Sequence, residues 1–231
     1  MIKNIKELIS GGAFRILGAS LLLLSFAFVL SAEPGRAEQK FHPLKNYSVE
    51  YNLEGITVGT KNHYSQKWGN LVCWVEVSET TMPGAPGVKR NEKVITYVKD
   101  GEQWIITINL DDNTGTKMKN PMFQAIAGSM KGKSPEEFSE EFMTRMGGKV
   151  VGEKVVNGEK CKEWTLMGGA NTCLTPDQIS VETSANMAGI TMKETAVKVK
   201  RNDSGPSGIC EIGDAKLKEM DLSNMMQQQQ H

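Results

Sequence analysis

From residue 47 the chain opens on apolar side chains at every second position and stays β-like to about Thr116. Tyr47, Val49, Tyr51 and Leu53 alternate with polar residues in YSVEYNL, the pattern of a strand with one buried face. HYSQKW, NLVCWVEV, KVITYV and QWIITINL extend that pattern to about Thr116. Asp100-Gly101 between the last two runs predicts a two-residue hairpin, because both residues accept positive φ. MPGAPG, Met82 to Gly87, reads as a loop.

The period changes midway. PMFQAIAGSM (Pro121–Met130) predicts a short amphipathic helix. Ser134-Pro135-Glu136-Glu137 predicts the start of another: Ser134 as N-cap, Pro135 at the first position, Glu137 closing a capping box. Phe138, Phe142, Met143 and Met146 would share its apolar face, and Gly147-Gly148 would end it. The alternation then resumes. Asn157-Gly158 separates GKVVGEKVV from EKCKEWTL as a second hairpin. TCLTP, ISVETSA, ITMKETAVKVK and ICEIGDAKLKEM complete the β set, and DLSNMMQQQQH carries no pattern. The expected fold is mainly β (α+β): an antiparallel open or half-barrel, a strongly curved sheet with two short helices inserted midway and packed on one face.

The N-terminus decides the compartment. Lys3, Lys6 and Arg15 precede the apolar run Ile16–Ala32, and small residues follow at Gly35-Arg36-Ala37. That order is the signature of a secretory signal peptide, residues 1–37. The alternative is a retained membrane anchor, since a run of 17 residues sits at the lower edge of a bilayer span. Either way the remainder is exported, periplasmic or secreted. The expected layout is a signal peptide over 1–37, a polar linker over 38–46, one domain over 47–220 and a disordered tail over 221–231. Removing 1–37 takes four of the 27 basic and two of the 27 acidic residues, leaving a net charge of −2. A nucleic-acid partner, which needs a basic face, is not expected.

Export changes the reading of Cys73, Cys161, Cys173 and Cys210. An even number in an oxidising compartment favours disulfides over metal or redox sites, and the chain has neither CxxC nor clustered histidines. A hairpin centred on Met167 would place Cys161 directly opposite Cys173, close enough to bridge. That leaves Cys73 to join Cys210. AGSMKGKS (Ala127–Ser134) fits a loose phosphate-loop pattern in which Lys133 and Ser134 would bind nucleotide. Pro135 follows at once, however, and helix capping explains Ser134 equally well. The 13 methionines suit core packing or an adaptable apolar cavity. With His42 and His63 the only histidines inside the fold, no serine–histidine–acid set forms. Neither catalysis nor a cofactor is expected.

The order of leader, Tyr-rich first strand, meander with WIITINL, helical insert, hairpin VNGEKCKEWTL and closing strand CEIGDAKLKEM resembles the periplasmic lipoprotein-carrier (LolA-like) half-barrels and related uncharacterised exported bacterial proteins. The resemblance covers about residues 45–220. It implies an incomplete barrel around an apolar cavity, with the insert as a lid and an apolar ligand, lipid or lipoprotein as partner. Met122, Phe123, Ile126, Phe138, Phe142 and Met146 would line that cavity. Ligand binding is thus the leading expectation, and a non-catalytic structural or interaction protein of the envelope with a filled core is the alternative.

Overall fold

The structure is a computed structural model that describes residues 39–81, 86–187 and 190–221. The expected leader and nearly all of the expected tail lie outside these residues, as does most of the 82–87 loop. Twelve strands and two helices follow in order: β1 (Tyr47–Gly55), β2 (Thr57–Gln66), β3 (Leu71–Thr80), β4 (Val88–Lys99), β5 (Glu102–Asn109), β6 (Thr114–Lys119), α1 (Phe123–Ser129), α2 (Pro135–Arg145), β7 (Lys149–Val156), β8 (Glu159–Thr165), β9 (Ala170–Leu174), β10 (Ser180–Met187), β11 (Ile190–Arg201) and β12 (Lys216–Met220). All belong to one sheet ordered β12-β6-β5-β4-β3-β2-β1-β11-β10-β9-β8-β7. Every pairing is antiparallel except β12 with β6.

Local chemistry explains the tight turns. Asp100 and Gly101 adopt φ of 54° and 75°, and Asn157 and Gly158 adopt 46° and 86°. Each pair forms the two-residue loop that Asp-Gly and Asn-Gly favour. Ser134 caps α2 through a full capping box, with Pro135 in the first turn. The third hairpin differs from expectation. β8 and β9 pair Glu163 with Cys173 and Thr165 with Asn171. Cys161 is therefore diagonal to Cys173 rather than opposite it, two residues out of the expected register. Leu166 donates to the Ala170 carbonyl at 2.7 Å, so the loop is the three residues Met167–Gly169, with both glycines at positive φ. A slip of two keeps a side chain on the same face, and the disulfide still forms, with Cα atoms 5.4 Å apart.

The sheet is strongly curved. Arg90 on β4 and Thr183 on β10 line one cleft, yet five strand steps, about 24 Å in a flat sheet, separate their strands. The registers put Tyr47, Val49, Tyr51, Lys61, His63, Trp74, Glu76 and Arg90 on this concave face. Tyr64, Cys73, Ile95 and Ile106 share the opposite, convex face.

Two cores result. One gathers Tyr47, Val49, Tyr51, Val156, Ile179, Val181 and Ala196 around Cys161–Cys173. The other gathers Ile95, Ile106 and Ile108 around Cys73–Cys210 on the convex face, roofed by Ile209, Ile212 and Leu217. The expected closing strand is shorter than read. Cys210 to Ala215 is a turn stapled onto β3, and only Lys216–Met220 pairs.

Residues 39–46, expected as a linker, dock on the short helical turn Lys67–Gly69 between β2 and β3. Phe41 and His42 both donate their backbone N–H to the Trp68 carbonyl, at 2.8 and 3.0 Å. His42 is buried and its ring lies 4.4 Å from that of Tyr47, which in turn stacks on His63 at 5.6 Å.

Candidate functional site

The six residues expected to line an apolar cavity are not brought together. Phe123 is buried and packs on Phe41, with ring centroids 5.5 Å apart. Met122, Phe142 and Met146 are 61, 43 and 50 % exposed. Phe138 meets Phe142 in a tilted ring contact at 5.8 Å, and α2 buries Met143 instead. Ile126 is half-buried on α1. The concave face is not an open apolar lumen either. Lys61 forms an ion pair with Glu194 and lies over the Tyr51 ring, and the Tyr51 hydroxyl donates to the Ser180 carbonyl at 2.7 Å. The cleft at its far end, about 300 Å³, is lined by Glu76, Arg90, Lys193 and Glu194 beside Leu53 and Met192.

The phosphate-loop reading finds no strand before it. Ala127, Gly128 and Ser129 belong to α1. Lys133 forms an ion pair with Glu141, and the Ser134 hydroxyl accepts from the Glu137 N–H at 3.2 Å. Both side chains are used in starting α2, with no loop of free amides for a phosphate.

A cleft of about 420 Å³ opens instead on the other side of α2, against the β8–β9 hairpin. Trp164, buried, and Cys161 of the disulfide form its floor, with Leu174 and Pro176. Glu136, Glu137, Ser139 and Glu140 of α2 form one wall; Glu153, Lys160 and Lys162 lie at its rim. Several of these charges are paired internally. Glu137 closes the capping box, and Lys162 donates to Glu140 at 2.8 Å, tying α2 to β8. Glu136, Glu153 and Lys160 carry no ion pair among the described residues.

The opposite wall, Thr175–Gln178, is a rigid turn. The Thr175 hydroxyl donates to Asp177 at 2.6 Å, and the Ile179 N–H donates to that hydroxyl at 3.0 Å. Arg201 clamps the turn from behind, with Nε 2.6 Å from Asp177 and both terminal nitrogens on the Glu159 carboxylate at 3.0 and 2.8 Å. Hydrogen bonds to Glu159 and Asp177 raise the Arg201 pKa above its ordinary value. The cleft therefore has a fixed apolar floor, one fixed wall and one helical wall, a shape suited to holding a small apolar or amphipathic molecule. From the sequence, EKCKEWTL promised a strand, but its contact with the polar side of α2 had no periodic signal.

Two disulfides and no free cysteine occur among the described residues, which fits an oxidising compartment. No described helix is long and apolar enough to cross a membrane. No family model matches the chain, and no curated protein matches it. Solved structures with weak overall similarity include an uncharacterized conserved protein from Thermus thermophilus, 10 % identical, covering 76 % of this chain and 91 % of that one with a TM-score of 0.48. A structure of PNGF-II matches at 9 % identity over 79 % of this chain and 32 % of that one, TM-score 0.47. A β-barrel-like protein of a domain of unknown function (DUF1849) from Brucella abortus matches at 12 % identity over 70 % and 100 %, TM-score 0.43.

Proposed function

We propose that the protein is an exported, non-catalytic binding module that holds an apolar or amphipathic molecule, of the size of a short acyl chain, between α2 and the β8–β9 hairpin. The observation that supports this reading is the 420 Å³ cleft lined by Trp164, Leu174, Pro176 and Cys161. Burying a chain there would contribute about 0.8 kcal/mol per methylene. The unpaired Glu136, Glu153 and Lys160 would meet its polar end at the rim. The lipoprotein-carrier resemblance points to the same ligand class: Trp164, opposite Thr172, shares the concave face with Thr183, Glu194 and Leu53, and α2 lies against the β8–β9 end of that face.

Native mass spectrometry of protein isolated from its producing cells reports any bound mass. Displacement of a fluorescent fatty acid measures affinity, and Ser139→Trp fills the cleft. Displacement by the wild type and its loss in Ser139→Trp is the expected result; equal behaviour of the two proteins would sink the proposal. The charged, hydrogen-bonded concave face favours a second reading, an envelope protein that binds a partner and no small molecule. It predicts no bound mass and a specific crosslinked partner.

A further inference from the structure

The end of the sheet that carries the Lys67–Gly69 turn has an unusual backbone. Lys67, Trp68 and Gly69 are consecutively left-handed, with φ of 52°, 53° and 81°. Each non-glycine residue in that region costs roughly 1–2 kcal/mol, and such strain persists only where neighbours enforce it. The enforcing neighbour is the docked strap 39–46. Besides the two bonds to its carbonyl, Trp68 donates its N–H to Lys45 O at 2.9 Å, and Asn46 Oδ1 accepts from the Lys67 N–H at 3.2 Å. The result is a half-exposed Trp68 held between Lys40 and Lys45, whose ammonium groups lie 5.0 and 5.2 Å from the ring centroid.

The same end repeats this combination. Tyr97 pairs with Leu71 and Trp104, and Trp104 lies under Lys117 and Lys119 at 4.0 and 5.1 Å. Between the two tryptophan sites a cleft of about 450 Å³ is lined by Leu71, Ile95, Tyr97 and Ile212, with Lys67 and Lys99 among its charged residues. Among the described residues, Lys40, Lys45, Lys67 and Lys99 have no carboxylate partner. Acids nearby include Glu102, which pairs with Lys119, Asp100 in the adjacent turn, Glu211 in the cleft wall, Glu219 and Asp221, which act on Lys119, and Asp177 and Glu136, which act on His42 of the strap. The charged groups lying directly on the two rings are lysines, Lys40 and Lys45 on Trp68 and Lys117 and Lys119 on Trp104.

We infer that this end docks on a membrane surface of anionic phospholipid, with Trp68 and Trp104 at headgroup depth and the lysines on phosphates. Tryptophan and lysine are the side chains that settle at that depth, and each lysine near an anionic bilayer strengthens binding about fivefold. The chain also enters the fold here: Asn70 donates to Gln39 O at 2.8 Å. The surface is distinct from the α2 cleft, so the two can be tested apart.

The test uses protein isolated from its producing cells, with whatever N-terminus it carries, against vesicles of phosphatidylcholine alone or with about one third phosphatidylglycerol. Expected is binding to the anionic vesicles that falls with added salt. Lys40→Glu/Lys45→Glu and, independently, Lys67→Glu/Lys99→Glu should each weaken it at least about twenty-fold without moving the urea midpoint. Ser139→Trp should leave it unchanged. Equal binding to both vesicle types, or both double variants binding like the wild type, would overturn the inference.

Discussion

The two disulfides should differ measurably in what they contribute. Cys73–Cys210 closes a separation of 137 residues and Cys161–Cys173 one of 12. The entropy removed from the unfolded chain grows with the logarithm of the loop, so the long bridge is worth about 5 kcal/mol and the short one about 3. All four cysteines are buried, at 0, 9, 3 and 1 % exposure for Cys73, Cys210, Cys161 and Cys173, so replacing either pair by alanine costs similar packing. The loop term then dominates the difference. Equilibrium urea unfolding, followed by tryptophan fluorescence, should place Cys73→Ala/Cys210→Ala about 2 kcal/mol below Cys161→Ala/Cys173→Ala. Equal losses, or a larger loss from the short bridge, would refute the reasoning. They would mean that the 206–215 turn peels away without the sheet sensing it.

Acid should weaken the fold before its carboxylates titrate. His63 is half-buried as a residue, yet its Nε2 is fully enclosed with no described partner. Desolvation, with help from Lys61, lowers its pKa from 6.5 to about 4. The unfolded chain therefore binds the extra proton between pH 6.5 and 4, and stability should fall across that window by roughly 3 kcal/mol, then level off. His42, lowered mainly by burial, acts in the same direction. Urea midpoints measured from pH 7 to 4 (about the window just named) should slope less in His63→Phe; an unchanged slope would mean another group titrates. Ser134→Ala removes the hydroxyl that caps α2 and should cost about 1 kcal/mol, read as a lower thermal midpoint. A loss within error would show that α2 is held by its contact with the sheet alone.

The elements legible in the sequence were those set by local rules. Asp100-Gly101, Asn157-Gly158 and the Ser134 capping box each act within a few residues, and each forms as expected. What failed depends on distance. The alternation in β8 and β9 selects a face but not an offset, which is why Cys161 lies diagonal to Cys173. β6, TGTKMK, has no apolar alternation and exists because β5 and β12 flank it. Gly213, at φ 67°, helps turn the expected closing strand inward before Lys216. On α2 the apolar residues marked a face that stays partly exposed, while the cleft uses Glu136, Ser139 and Glu140. Those look like solvent positions until the hairpin is placed beside them.

The partnership of β1 with β11 has a kinetic side. Tyr47–Gly55 sits in the middle of the sheet, yet one of its neighbours, Met192–Arg201, is synthesised about 140 residues later. The first six strands can assemble as a meander while that flank of β1 still presents bare backbone amides and carbonyls. A growing chain thus carries a sticky seam, open to other strands, for most of its time in transit. Zipping that seam must rank among the late events of assembly, because the loop to be closed is long.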